Sequence, residues 1–241
     1  MSNNNYLAKY LPNSITILSL CCGLSSLRFS LLEEWKISIY LIIFASIFDF
    51  FDGWFARKLK GNSNFGAELD SLSDFISFGV APSILIYLWS ISHFNSFGWS
   101  ITLFFSVCAA LRLARFTADI YLVDKPIDDT TYFIGVPSPA AAILCLLPIF
   151  LFIELDFNFF RDPYLNIANL IVIGLLMVSK IPTVSLKKIK FSKKVTPFII
   201  LLLVIICIGL ITNLWITLII LSIAYIYTII HTTFFYLRFK I

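Results

Sequence analysis

Mostly apolar runs, each close to the roughly 20 residues a helix needs to cross a bilayer, follow one another along this chain and are separated by short polar stretches. The pattern predicts eight spans: Asn13–Leu31, Ile37–Arg57, Leu72–Ile91, Phe97–Phe116, Pro137–Ile153, Tyr164–Ile181, Thr196–Ile211 and Trp215–Leu237. The fold class read from it is all-α, a polytopic integral-membrane bundle of about eight transmembrane helices. The apolar run that begins near Ile15 is too long for a secretory signal and lacks a small-residue cleavage site, so it is expected to stay as the first span. Residues 1–182, holding spans one to six, form the expected working bundle; residues 183–241 add a basic loop and two further helices. The loop Thr117–Val136, with four aspartates, is expected to be the most mobile element.

Composition agrees. Of 241 residues, 59% are apolar and 13% charged, against roughly 45–50% and about 25% in soluble domains, which excludes a soluble enzyme, a disordered chain and a disulfide scaffold. The net charge of +4 matters through its placement. With the N-terminus in the cytoplasm, all of the 18 Lys and Arg except Arg28, Lys36 and Arg161 fall on the inner side, and an even number of spans puts both termini there. The lysines from Lys187 to Lys194 read first as topology determinants and second as a site for anionic head groups. No nucleic-acid partner is required. The five cysteines, Cys21, Cys22, Cys108, Cys145 and Cys207, sit in apolar runs without CxxC spacing and read as small hydrophobes. His93 and His231 fall on opposite sides of the membrane and are assigned no chemistry.

Four carboxylates break the apolar pattern. Asp49 and Asp52 lie in the second run, and Asp70 and Asp74 at the head of the third. Each carboxylate costs about 2.5–3.5 kcal/mol at a helix centre, so four together imply a ligand that offsets the cost. At 100° per residue, Asp49, Asp52, Gly53, Ala56 and Arg57 fall on one face, while Asp70 and Asp74 stack at i, i+4 with Gly66 a turn earlier. Two acidic faces can therefore meet across the loop Lys58–Phe65. Such a group cannot stay fully ionised without cations, and oxygen-only ligands point to hard divalent ions, Mg²⁺ or Mn²⁺, two of which would clamp a phosphoryl group. Gly53 and Ala56 leave room for a ligand's phosphates, and Arg57 is placed to pair with phosphate oxygens. Interhelical ion pairs, or the cation path of a transporter, are the competing readings of the same residues.

Read as one string, Asp49-x-x-Asp52-Gly53-x-x-Ala56-Arg57, eight residues, then Gly66-x-x-x-Asp70-x-x-x-Asp74 resembles the signature of the CDP-alcohol phosphatidyltransferase family. Members of that family are polytopic membrane enzymes that displace CMP from a CDP-linked lipid with an alcohol hydroxyl at a dinuclear metal site. The flanking residues resemble its phosphatidylserine synthase branch: Leu69-Asp70-Ser71-Leu72-Ser73-Asp74 with Ser77-Phe78-Gly79-Val80-Ala81-Pro82, Leu111 to Phe116, Gly135 to Ala142, and Leu11-Pro12-Asn13-x-x-Thr16. The likeness covers spans one to five well and the last three only in hydropathy. Ser73 stands where alanine is more usual.

The resemblance implies that Asp49, Asp52 and Asp70 ligate one ion and that Asp74 ligates the second and acts as general base. It further implies that Asp52, Gly53, Ala56, Arg57 and Gly66 hold the nucleotide and phosphates. Arg112, Arg115 and Ser138 are candidates for the acceptor site, with positive-inside flanking and a helix start as their plainer readings. The implied substrates are CDP-diacylglycerol and L-serine, in a bacterial inner membrane with the active site facing the cytoplasm, in a homodimer. Inositol phosphate or glycerol 3-phosphate as acceptor, or a cation or solute transporter, are the alternatives.

Overall fold

The structure, a computed structural model, describes residues 3–59, 63–121, 132–179, 181–184 and 196–239. The Lys187–Lys194 cluster, and Asp124, Asp128 and Asp129 of the acidic loop, lie outside the described residues.

Helix α1 (Asn3–Leu31) carries Pro12 within it and turns through Glu33, at φ 61°, into α2 (Trp35–Leu59). These two form an antiparallel hairpin with the most extensive helix–helix contact among the described residues. Lipid offers no hydrophobic drive for such pairing, so small side chains and hydroxyl groups supply it. Ser38 is buried between Ser26 and Ser30, with Oγ–Oγ distances of 2.8 and 2.7 Å, and Ser19 Oγ donates to the Ala45 carbonyl at 2.9 Å.

A third rod follows. Ser63 caps α3 (Asn64–Asp74) by accepting the Gly66 N–H at 3.0 Å. The helix then widens into a π-helical turn (Phe75–Val80), continues as α4 (Ala81–Ile86), widens again (Tyr87–Ile91) and closes in a 3₁₀ turn (Ser92–Phe94). Asn95, at φ 44°, reverses the chain into α5 (Asn95–Tyr121), which runs back along Phe75–Val80. Their approach is close: a Cβ on Gly79 would stand 2.9 Å from the Ala109 Cβ. Ser73 and Ser77 donate to the Thr16 and Ser19 carbonyls at 3.3 and 3.2 Å and tie this rod to α1.

Helices α6 (Ser138–Cys145) and α7 (Leu147–Leu155) are one rod broken before Pro148. A proline has no N–H to give the carbonyl four residues back, which here is Leu144. Asn169, on α8 (Pro163–Val178), supplies the missing donor: its Nδ2 bonds the Leu144 and Cys145 carbonyls at 3.3 and 3.0 Å. In lipid such replacement is obligatory. Helices α9 (Thr196–Thr212) and α10 (Leu214–Phe239) complete the chain, and α10 packs on α7.

The core lies between the third rod, α5, α6, α7 and α8, where Phe78, Leu85, Phe105, Ala109, Ile149 and Leu170 are fully buried. Among the described residues, five helical stretches are long and apolar enough to cross a membrane, against the eight expected. The difference of three arises because Asn64–Ala118 counts as one stretch although it folds back at Asn95, and because Pro163–Val178 and Thr196–Thr212, with 16 and 17 residues, are short.

Three boundaries are corrected. The third span begins at Asn64, a full two turns before Leu72, because the Ser63 cap starts it there; α1 extends to Asn3, through Pro12; and α5 runs on to Tyr121, which removes the first part of the expected acidic loop, Asp119 included. A two-stranded antiparallel ribbon, β1 (Tyr132–Ile134) with β2 (Pro182–Val184), was not anticipated. It is pinned by Gly135 N–H to the Ile181 carbonyl at 2.9 Å.

Candidate metal and phosphate site

The last turns of α2 and the second half of α3 meet at the end of the bundle that carries Arg57, Lys58, Arg112 and Arg115. Each helix presents two aspartates there. Asp49, Asp70 and Asp74 offer one oxygen each, all within 4.8 Å of one another. At an effective dielectric of about 20, two full charges at that distance repel by about 3–4 kcal/mol per pair. A cluster of this kind must either hold protons or take up positive charge between its members.

Asp52 faces a different neighbour. It is 4% exposed, and its Oδ2 is buried and makes no hydrogen bond. The carboxylate lines a cavity of about 310 Å³, together with Gly53, Ala56, Arg57, Gly66 and Asp70. All five residues expected to hold the nucleotide and phosphates therefore border one space, and Asp70 joins it to the carboxylate cluster. The two glycines serve different ends. A Cβ at Gly53 would stand 3.3 Å from Arg57 Nη1, so the bare backbone lets the guanidinium lie across the helix. At Gly66 a Cβ would stand 2.9 Å from Asn13 Oδ1 and 3.1 Å from Ser63 Oγ, so this glycine allows α3 to close on α1 and its own cap.

The donor set fits hard divalent cations. It is made of carboxylate oxygens alone, with no Cys or His, and the orphaned Asp52 Oδ2 is a further acceptor held out of water without a partner. Asp49, Asp70 and Asp74 would hold such ions, with Asp52 at the cavity side.

On the other flank, Arg112 of α5 donates through Nη1 to Ser138 Oγ at the first position of α6. Asp74 lies within electrostatic range of the same guanidinium. The structure thus joins Arg112 and Ser138, two expected acceptor residues, beside the carboxylate cluster. Arg115 is exposed and donates to the Val178 carbonyl at 3.3 Å, so it ties α5 to the end of α8. His93, in the 3₁₀ turn, and His231, whose ring lies tilted beside Tyr227 with centroids 6.0 Å apart, are far apart in the chain's course and outside the cluster.

Three residues at the site carry no expectation from sequence as site residues. Asn13 and Thr16 line the cavity from α1, and Tyr225 of α10 lies within electrostatic range of Arg112. The motif Leu11-Pro12-Asn13-x-x-Thr16 held the signal for the first two. A tyrosine in an apolar helix carried none.

A family profile described as CDP-alcohol phosphatidyltransferase matches residues 9–230. A CDP-diacylglycerol–serine O-phosphatidyltransferase of Mycobacterium leprae is 37% identical over 172 residues, which cover 71% of this chain and 57% of the relative. A Helicobacter pylori protein of the same name is 34% identical over 183 residues, covering 76% and 75%. One from Bacillus subtilis is 37% identical over 180 residues, covering 74% and 92%. The chain spans about half the length of the mycobacterial relatives it matches.

Proposed function

Because this chain belongs to the CDP-alcohol phosphatidyltransferase family, we propose that it moves the phosphatidyl group of CDP-diacylglycerol to L-serine, giving phosphatidylserine and CMP. The observation that carries the reading is the meeting of Asp49, Asp70 and Asp74 within 4.8 Å, next to a cavity bordered by Asp52, Gly53, Ala56, Arg57 and Gly66. Serine as acceptor is supported by relatives that bear that activity in their names.

Asp49, Asp52, Asp70 and Asp74 hold two divalent cations, Mg²⁺ or Mn²⁺, which when bound supply charge neutralisation to the pyrophosphate. The chain's own groups do the rest. Arg57 pairs with phosphate oxygens, and the open backbone at Gly53 admits the nucleotide against α2. Arg112, held by Ser138, orients the serine. Asp74 takes the proton from the serine hydroxyl as its oxygen bonds to the phosphorus that bears the diacylglycerol. The bond from that phosphorus to the CMP oxygen breaks, and CMP leaves with the pair of electrons. The enzyme works as a homodimer in a bacterial inner membrane with this site facing the cytoplasm, in line with the excess of Lys and Arg at that end.

The test is CMP release from CDP-diacylglycerol in detergent-solubilised membranes. Release that needs both serine and a divalent ion is expected. A preference for inositol phosphate or glycerol 3-phosphate in direct competition refutes the acceptor, and release of no CMP with any alcohol refutes the reaction.

A further inference from the structure

Buried polar atoms in a folded protein almost always have partners, so the exceptions are informative. Among the described residues four buried side-chain atoms have none: Asp52 Oδ2, Arg112 Nε, Asn166 Oδ1 and Tyr225 OH. Asn166 belongs to a separate network, where its Nδ2 bonds Ser90 Oγ at 3.1 Å and the Phe160 and Asp162 carbonyls. Asp52 borders the cavity beside the carboxylate cluster and Arg112 lies within electrostatic range of Asp74, while Arg112 and Tyr225 are within electrostatic range of one another. Tyr225 therefore poses a specific question. Phenylalanine would fill the same place among the apolar residues of α10 without an unpartnered hydroxyl, which costs about 1–3 kcal/mol.

Another part of the guanidinium is already engaged. Ser138 accepts from Nη1, and Asp74 stands near as countercharge. What is left is a pair of N–H and O–H donors from α5 and α10 with no acceptor. A carboxylate has two oxygens and accepts from both at once.

We propose that Tyr225 is a specificity-determining residue, whose hydroxyl and the Arg112 Nε–H together receive the carboxylate of the amino-acid acceptor. This rests on the transfer reaction proposed above and extends it to α10, where the family likeness is one of hydropathy only. An alcohol without a carboxylate leaves both donors buried and unpaired, and a site built to pair a group rejects analogues that lack it. The same pair of donors suits any oxyanion, including the phosphate of the lipid nucleotide, so the test must separate the two substrates.

Tyr225→Phe in the full chain, assayed in mixed micelles, keeps the ring and removes the hydroxyl. The apparent KM for serine should rise at least tenfold, equivalent to about 1.4 kcal/mol, with kcat and the KM for CDP-diacylglycerol within twofold of wild type. Inhibition by L-alanine, which has the carboxylate but no nucleophile, should weaken in parallel, while inhibition by ethanolamine, which lacks the carboxylate, should not change. The apparent Tm should not fall. A serine KM within twofold of wild type overturns the proposal, as does a rise confined to CDP-diacylglycerol, which would make the pair a lipid-phosphate site. A rise in both KM values together with a lower Tm also overturns it and makes Tyr225 a packing residue. A wild-type protein that releases no CMP with serine refutes the transfer reaction itself, whereas a serine-active wild type beside an unaffected Tyr225→Phe refutes only the role of Tyr225.

Discussion

Asp70→Asn offers the sharpest separation between a metal site and a structural polar cluster. Asp70 shares the carboxylate group with Asp49 and Asp74, all three oxygens within 4.8 Å, and also borders the cavity of Asp52. At an effective dielectric of about 20, each charged pair at that distance repels by about 3–4 kcal/mol, and neutralising Asp70 removes two of the three pairs. Partial neutralisation by water and by the nearby Arg112 leaves a measurable relief of about 1–3 kcal/mol, within the range of single substitutions. For a chain of this size each kcal/mol shifts Tm by about 2–4 °C. In EDTA, then, the variant in detergent should unfold at a temperature higher than wild type by at least about 2 °C. Mn²⁺ at a hundredfold excess over its Kd should stabilise wild type by about 2.7 kcal/mol, and the variant by far less. Turnover should fall below a few per cent. Were Asp70 instead a partner in a structural ion pair, the variant would lose stability in EDTA. That result, or an unchanged response to Mn²⁺, refutes the metal assignment.

Asp74→Asn should retain binding of CDP-diacylglycerol, measured by retention in a micelle-binding assay, while the single-turnover rate of CMP release falls by at least a hundredfold; equal losses in both would make Asp74 a ligand without a proton role. Gly53→Leu should weaken CDP-diacylglycerol affinity at least tenfold with serine affinity unchanged, because even a Cβ there stands 3.3 Å from Arg57 Nη1 and a longer side chain must displace the guanidinium. Gly135→Ala should lower the apparent Tm by several degrees without altering either KM. Gly135 has φ +78°, which costs an L-residue about 1–2 kcal/mol, and its Cβ would stand 2.5 Å from the Met177 carbonyl oxygen, so backbone must move.

Hydropathy carried the helical bundle, because in lipid only a continuous apolar helix satisfies its own backbone, and the segments that cross must advertise themselves by length. It did not carry the start of the third span. Asn64–Ser71 is polar, and its helix is set by the Ser63 cap and by contact with α1, neither of which a hydropathy window registers. Helical spacing brought Asp49, Asp52, Asp70 and Asp74 to two facing surfaces. How they divide between cluster and cavity depended on the crossing of α2 and α3, which spacing within one helix does not contain. Arg112 and Ser138 are 26 positions apart, and they meet because α5 and α6 both pack on the Phe75–Val80 turn and on α8. Tyr225 was the least legible, since nothing in the sequence separates its hydroxyl from those of Ser222, Tyr227 and Thr228 in the same helix, and its meaning comes from the arginine across from it.

The two π-helical turns give the third rod a history of its own. An α-helix that takes in one extra residue rotates everything beyond it by about 100° relative to what precedes it. Asp70 and Asp74 lie before the first of these turns, while Phe78 begins the buried core and Leu85 lies beyond the turn. The two halves of the rod are thus geared separately. A lineage that lengthens or shortens the core portion by one residue can absorb the change by tightening or loosening the turn at Phe75–Val80, and the aspartates keep their bearing while the hydrophobic half below them drifts.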